Sequence, residues 1–331
     1  MNIYRLDLIG EIVLSIETKK IGDFLPGDEV DSYLLIKQSS VRISSNNKQY
    51  LDFTLIDKSG AINAKLWDCS DEDIALYSEN QVVKIRGNIQ EWKGVLQLKV
   101  NKMRQITEED HIDYGDFIPK APIESATMYA EIQTYVERIG NSEIKCIVNE
   151  ILNEYREPLM YYPAAKSNHH SIQGGLMYHV VRMLRLGEKI CEVYGNLNSD
   201  LVYAGIILHD IEKINEMESN LLGIVNDYTM EGKLLGHIIQ GIKKIEIIAE
   251  RHQVSDEVKI LLQHMILSHH YEAEYGSPKK PMIPEAEVLH YVDIIDARMY
   301  DMFEALDKTN TGEFSDKIWA LDNRQIYKNM L

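Results

Sequence analysis

The stretch LVYAGIILHDIEK, residues 201–213, decides how the second half of this chain is read. Eight residues without a formal charge, none of them proline, run straight into His209-Asp210. A segment apolar all the way round is a helix buried in a core rather than one lying on a surface. Its end delivers an imidazole and a carboxylate together at one point inside the protein. Working outward, the same arrangement recurs. His179 lies on a helical pattern at 175–194, and His237 follows Leu234-Leu235-Gly236 on a pattern at 231–251. His269-His270 closes the apolar run Met265-Ile266-Leu267, while Asp293 and Asp296 lie one helical turn apart on a pattern at 284–306.

Helical periodicity fills everything from residue 123 onward, with helices expected at 125–138, 143–155, 175–194, 200–209, 231–251, 256–268 and 284–306 and no strand pattern between them. The texture before that is different. Residues 31–37, 50–56, 61–67, 81–90 and 94–104 read as five short strands. Leu51, Phe53 and Leu55 share one face, as do Ile62, Ala64 and Leu66. Asp57-Lys58-Ser59-Gly60 and Trp92-Lys93-Gly94 supply tight turns, and 71–77 reads as a short helix after the third strand. Five strands with a helix inserted there follow the plan of an OB-fold barrel. The expected fold is therefore multidomain, an all-β OB-fold barrel followed by an all-α bundle. The boundaries are an N-terminal extension of unassigned role at 1–20, the barrel at 21–106, an acidic proline-containing linker at 107–122, and the helical domain at 123–331.

Composition limits the function. The 331 residues are 45% apolar and 26% charged, as in an ordinary soluble globular protein. No apolar run approaches a bilayer span, and the N-terminus lacks a signal-peptide layout, so a cytoplasmic protein without membrane partners is expected. Cys69, Cys146 and Cys191 are too few and too scattered for a disulfide framework or a cysteine zinc site. The net charge of −17 argues against bulk electrostatic binding of nucleic acid. Residues 30–106, however, carry 11 Lys and Arg against 9 Asp and Glu, which leaves −19 for the remainder. If a polyanion is touched directly, the barrel touches it; elsewhere an anionic substrate needs bound cations.

A single histidine at a helix end is usually a hydrogen-bonded structural residue. Five helices that each bring such residues out of a core at an apolar-to-polar transition are not five independent caps, and together they indicate a metal site. His252 and His264 read as surface or packing histidines, and His290 stays open. Imidazole and carboxylate suit Mn²⁺, Fe²⁺, Co²⁺, Zn²⁺ or Mg²⁺, and a short carboxylate can bridge two ions. A pair of ions about 3.5–4 Å apart is suited to phosphoryl transfer.

The order His179, His209-Asp210, His237, His269-His270, Asp293 resembles the HD-domain phosphohydrolase superfamily. More closely, HHSIQGGLMYH (169–179), GKLLGHI (232–238), ILSHH (266–270), YGSPKKP (275–281) and EAEVLHYVDIIDA (285–297) resemble the YhaM-type 3′→5′ exoribonucleases, over roughly residues 21–307. The resemblance implies His179, His209, Asp210 and Asp293 as ligands of one metal. It implies His237, His269 and His270 as ligands of a second, with Asp210 as the bridge. It further implies two ions, Mn²⁺ foremost, and Lys213 meeting a substrate phosphate, with His170 a weaker candidate for the same task. Single-stranded RNA, and in some cases DNA, would be shortened from the 3′ end to 5′-mononucleotides by a metal-activated hydroxide. The sequence departs from the pattern at Glu212, where glycine is usual, and at Tyr178, where glutamate is common. In the barrel, Lys65, Trp67, Lys84, Arg86, Trp92 and Lys99 face away from the expected core and are candidates to bind the strand by charge and base stacking. Two other functions fit the same motifs: a phosphodiesterase or phosphatase for small or cyclic nucleotides, and a non-catalytic nucleic-acid-binding protein. Oligomeric state is not legible.

Overall fold

The computed structural model describes residues 3–6, 12–15, 19–44, 46–112, 114–166 and 170–331. The chain divides into two compact units, Met1–Pro119 and Lys120–Leu331. No helix among the described residues is long and apolar enough to cross a membrane.

In the first unit β1 (Ile3–Leu6) and β2 (Ile12–Ser15) pair antiparallel within the expected N-terminal extension. Then come β3 (Glu29–Ile43), β4 (Gln49–Asp57), β5 (Gly60–Trp67), helix α1 (Asp71–Leu76), β6 (Val82–Trp92) and β7 (Val95–Gln105). The five strands close a barrel in the order β3-β4-β5-β7-β6, with β5 and β7 parallel. Alternation is the cause: Leu51, Phe53 and Leu55 point inward while Tyr50, Asp52 and Thr54 between them are half-exposed. Helix α1 starts at a capping box in which Ser70 and Asp73 satisfy each other's main-chain N–H groups. Strand β3 runs well beyond the expected 31–37. After a bulge at Ile36/Gln38 it stays paired with β4, but its side chains there are mostly exposed, so main-chain hydrogen bonds continue where the apolar signal has stopped. Thr107–Asp110, within the expected linker, is fastened to the barrel. Asp110 accepts hydrogen bonds from the Tyr33 hydroxyl and from both terminal nitrogens of Arg104, each at 2.7 Å.

The second unit is a helical bundle. Its helices are α2 (Ser125–Arg138), α3 (Ser142–Glu154), α4 (Arg156–Leu159), α5 (Gly175–Val193), α6 (Ser199–Leu208), α7 (Lys213–Glu216), α8 (Met230–His252), α9 (Asp256–Ser268) and α10 (Pro284–Asp307). The decisive run lies on α6, which is buried from Leu201 to Leu208 and packs on α2, α3, α5, α9 and α10. Gly205 lets α9 come close, since a Cβ there would lie 2.3 Å from the Met265 methyl. Two expectations are corrected. A small hairpin, β8 (Met217–Ser219) with β9 (Val225–Tyr228), interrupts the region expected to be wholly helical; such short strands are below the length at which alternation can be read. The single helix expected at 231–251 is two helices merged across a break at Gly236.

Phe53 is among the largest fully buried side chains of the barrel core. Phe53→Ala should destabilise that unit by about 3–5 kcal/mol, measured as a lower urea midpoint with helical content kept.

Candidate metal centre

The helices of the second unit deliver their polar residues to one point. His209 caps the C-terminus of α6 and is followed by Asp210; His269 caps α9 and is followed by His270. His179 comes from the first third of α5 and Asp293 from the middle of α10. His237 follows the break in α8. Gly236 there has φ 71° and ψ 163°, a combination reserved for glycine, and without it the helix would carry His237 past the centre. Two helix C-termini, α6 and α9, end here, and their partial negative charges favour bound cations.

The five imidazoles are fixed in the same manner. His209 Nδ1 donates to the Ile206 carbonyl at 2.9 Å, His269 Nδ1 to the Ile266 carbonyl at 2.7 Å, and His270 Nδ1 to the Tyr275 carbonyl at 2.5 Å. His237 Nδ1 pairs with a Glu216 carboxylate oxygen at 3.0 Å and His179 Nδ1 with Asp296 at 2.7 Å. A carbonyl can only accept, so in those three rings Nδ1 carries the hydrogen and Nε2 offers a lone pair.

The Nε2 atoms of His209, His237 and His269 converge on Asp210 at 3.3, 3.3 and 3.8 Å. All three of these nitrogens, and Asp210 Oδ1, are buried without a hydrogen-bond partner. Buried polar atoms are rarely left so; bound cations that share Asp210 would satisfy all of them. Three groups place their ligand atoms within 4.8 Å of one another: Asp210, His237, His269 and His270; His179, His209 and Asp210; and, behind His179, His170, His179 and Asp296. Asp293 joins the second through Oδ1, 3.2 Å from His179 Nε2. The donor set fits divalent metal binding, with Asp210 common to the first two groups.

The electrostatics are those of a cation site. Burial opposes the Asp210 charge, but Lys213, His209 and His237 outweigh it and hold the carboxyl well below its usual range. Lys213 Nζ lies 2.7 Å from Asp210 Oδ2; burial works against its ammonium, yet Asp210 keeps its pKa above the ordinary value. Burial opposes protonation of His179 too, but hydrogen bonds to Asp293 and Asp296 push it up to about 9. Burial holds His269 and His270 below the usual histidine range.

His170 is in a different place from the one expected. It is 0% exposed and its Nε2 lies 2.7 Å from Asp296, behind His179. A phosphate cannot reach it in this structure, so its expected role is withdrawn. Glu212 is buried away from the ligands, accepting from the Tyr155 hydroxyl at 2.7 Å and from Asn215 at 2.7 Å. Tyr178 packs edge-on to His170. His264 accepts the Met282 N–H, and His290 Nδ1 donates to the His269 carbonyl. Residues 167–169, with His169 of the quoted motif, lie outside the described residues.

On the barrel the six candidates separate. Trp67, 42% exposed, stacks on Tyr50 with ring centroids 4.4 Å apart, and Lys65 Nζ lies 5.2 and 5.6 Å from the two rings. Lys99 is the register partner of Lys65 across β5 and β7. Lys84 and Arg86 lie on the β3–β6 side, and both pair with Asp31. Trp92, 69% exposed, ends β6 at the turn into β7. Tyr50 is absent from the sequence-derived set, although the hairpin register running from Asp57↔Gly60 leads directly to Tyr50↔Trp67.

The fold and site define a protein that joins an OB barrel to an HD domain. The HD-domain family model matches residues 176–298, and the model for an OB-fold nucleic acid binding domain matches residues 37–106. The 3′-5′ exoribonuclease YhaM of Geobacillus sp. (strain WCH70) is 44% identical over 310 residues, covering 94% of this chain and 95% of that protein. The chain belongs to the YhaM 3′-5′ exoribonuclease family. Among solved structures, the second OB-fold domain of replication protein A from Methanococcus maripaludis aligns with 27% of this chain and 93% of its own at 15% identity and a TM-score of 0.23. A replication protein A heterotrimer bound to ssDNA aligns with 34% of this chain and 75% of its own at 17% identity and a TM-score of 0.21. Scores this low carry no argument.

Two outcomes are expected. Gly236→Ala should displace His237 and weaken metal binding, with thermal stability in chelator falling by a smaller margin; metal titration and melting curves check both. Below pH of about 9 a metal must displace the His179 proton, so affinity should rise with pH, by up to about tenfold per unit, and level off above that value. Metal titrations across pH, with proton release read in weakly buffered solution, measure it.

Proposed function

We propose that this chain is a metal-dependent 3′→5′ exoribonuclease, and that it holds two divalent ions. His179, His209, Asp210 and Asp293 form one ligand set. Asp210, His237, His269 and His270 form the other. The observation that carries the reading is the set of buried, unpartnered Nε2 atoms converging on Asp210 while every Nδ1 is held from behind. The 3′→5′ polarity follows the relative's name. Divalent ions in these positions, with Mn²⁺ foremost, would supply a water of lowered pKa and positive charge at the scissile phosphate.

The chain's own residues do the rest. Asp210 holds the two ligand sets in register, and the pinned imidazoles cannot rotate away as charge builds on the phosphate. Lys213, 13% exposed at its side chain, contributes a fixed ammonium that a phosphate oxygen can share with Asp210. Cleavage leaves 5′-mononucleotides, and single-stranded DNA is a further substrate. The free thiols of Cys69, Cys146 and Cys191 suit work in the cytoplasm.

The strand itself is received by the barrel face of β4, β5 and β7. Opposed lysines in register destabilise a sheet unless an anion lies between them. Among the described residues neither Lys65 nor Lys99 has an ion-pair partner, and Lys65 sits beside the Tyr50–Trp67 stack. A phosphate between the lysines and a base on Trp67 satisfy both features at once. Lys84 and Arg86, already paired, contribute less, and Trp92 supplies a second stacking surface.

With 5′-labelled single-stranded RNA and Mn²⁺ the full chain should shorten the strand progressively from the 3′ end, and chelator or Asp210→Asn should abolish the ladder. Undiminished activity in Asp210→Asn would refute the reading. Trp67→Ala should cost about 1–3 kcal/mol of RNA affinity as a rise in KM, with kcat at saturating RNA preserved; an unchanged KM removes Trp67 from the interface.

A further inference from the structure

The five acceptors behind the ligand imidazoles are not equivalent. Three are main-chain carbonyls, of Ile206, Ile266 and Tyr275, and two are carboxylates, Asp296 behind His179 and Glu216 behind His237. The two carboxylate-backed rings fall on opposite sides of Asp210. His179 groups with His209 and Asp210, and His237 groups with Asp210, His269 and His270. A carboxylate on Nδ1 fixes the ring's orientation and increases the basicity of Nε2 more than a neutral carbonyl does.

We propose that Asp296 and Glu216 are positioning carboxylates, each setting the affinity of one of the two ions; this rests on the two-ion reading above. Neither touches the centre, and each acts through one imidazole.

The fold gives each carboxylate a fixed seat. Glu216 is the last residue of α7, on the turn that leaves Asp210 and Lys213. One oxygen takes His237 Nδ1, and the other lies 3.3 Å from the His237 main-chain nitrogen, so ring and backbone are held together. Its approach depends on two glycines of the GKLLG stretch. A Cβ at Gly232 would fall 2.2 Å from the Glu216 carbonyl oxygen, and Gly236 supplies the turn, with its own Cβ position 3.6 Å from Oε1. Asp296 lies one turn beyond Asp293 on α10 and is clamped from three sides. Oδ2 takes His179 Nδ1 and His170 Nε2, each at 2.7 Å, and Oδ1 takes Arg182 Nε at 2.6 Å. His170 is itself immobilised against Tyr300, ring centroids 4.1 Å apart. Buried His170 and half-buried Arg182 thereby acquire a role: they take two further acceptor positions of Asp296 and keep it from turning toward the metal site.

Glu216→Gln and Asp296→Asn keep one acceptor oxygen for the imidazole and remove the charge and the second acceptor. The full chain, stripped of metal, is titrated with Co²⁺, whose visible absorption reports occupancy and coordination, and thermal unfolding in chelator tests the fold. Two Co²⁺ are expected per wild-type chain. In each variant one ion should bind as in wild type and the other about 10–100-fold more weakly, with different difference spectra showing that the weakened ion is not the same one. Should Asp296→Asn fail to fold, Arg182→Gln removes a clamp without touching His179, and it should weaken the same ion while sparing the Glu216 side. Unchanged affinity for both ions in Glu216→Gln and in the Asp296-side variant overturns the proposal, as does an equal loss of both ions in either. A wild-type chain that takes up no Co²⁺ removes instead the two-ion reading on which the proposal stands.

Discussion

The charge on Asp210 is the constraint to which the rest of the helical unit answers. A carboxylate only 3% exposed would be strongly disfavoured in a core if it stood alone. Here Lys213 sits on one oxygen, and imidazole nitrogens of His209, His237 and His269 surround the residue at 3.3–3.8 Å. Those neighbours have to arrive from different helices, which requires α6 and α9 to end beside one another and α8 to break at Gly236. The burial of α6 from Leu201 to Leu208 supplies apolar free energy that holds an unusually polar interior together. Core packing and ligand geometry are in this sense one problem, solved by where the helices stop.

Much of this was legible in the sequence. The helix ends at His209 and His269 could be read because an apolar run that terminates in polar side chains is a one-dimensional signal. The barrel could be read because Leu51, Phe53 and Leu55 alternate with polar neighbours. What stayed hidden depends on contacts between distant segments. Glu216 gives no sign in the sequence that it serves His237, since the pairing arises only when α7 folds back on α8. His170 looked like a phosphate contact by its place in a motif, but burial against Asp296 is a property of packing that no local pattern carries. Glu212 looked like a perturbation of the metal site and proved to be a core residue held by Tyr155 and Asn215. The break at Gly236 was invisible because one glycine in a helical pattern is as compatible with a continuous helix as with a broken one.

The two units reflect different uses of charge. In the helical unit every charged group near the centre has a partner or is arranged to receive a cation, and the charge is hidden from solvent. On the barrel the opposite holds at one place, where Lys65, beside an aromatic stack, stands in register with Lys99. That strain is tolerable on a surface screened by water and salt, and any polyanion that settles there relieves it.

The way His209 and His269 are held also bears on how the centre withstands sequence change. Their acceptors are carbonyls three residues back, at helix C-termini where such groups would otherwise lack a partner. A carbonyl belongs to every amino acid, so substitutions at Ile206 or Ile266 alter packing volume without deleting the acceptor. The aim of these two ligands is thus encoded in the main chain, and is buffered against drift in the side chains around it. His179 and His237, whose acceptors are side chains, have no such protection, and a single base change in a codon for Asp296 or Glu216 is enough to remove theirs.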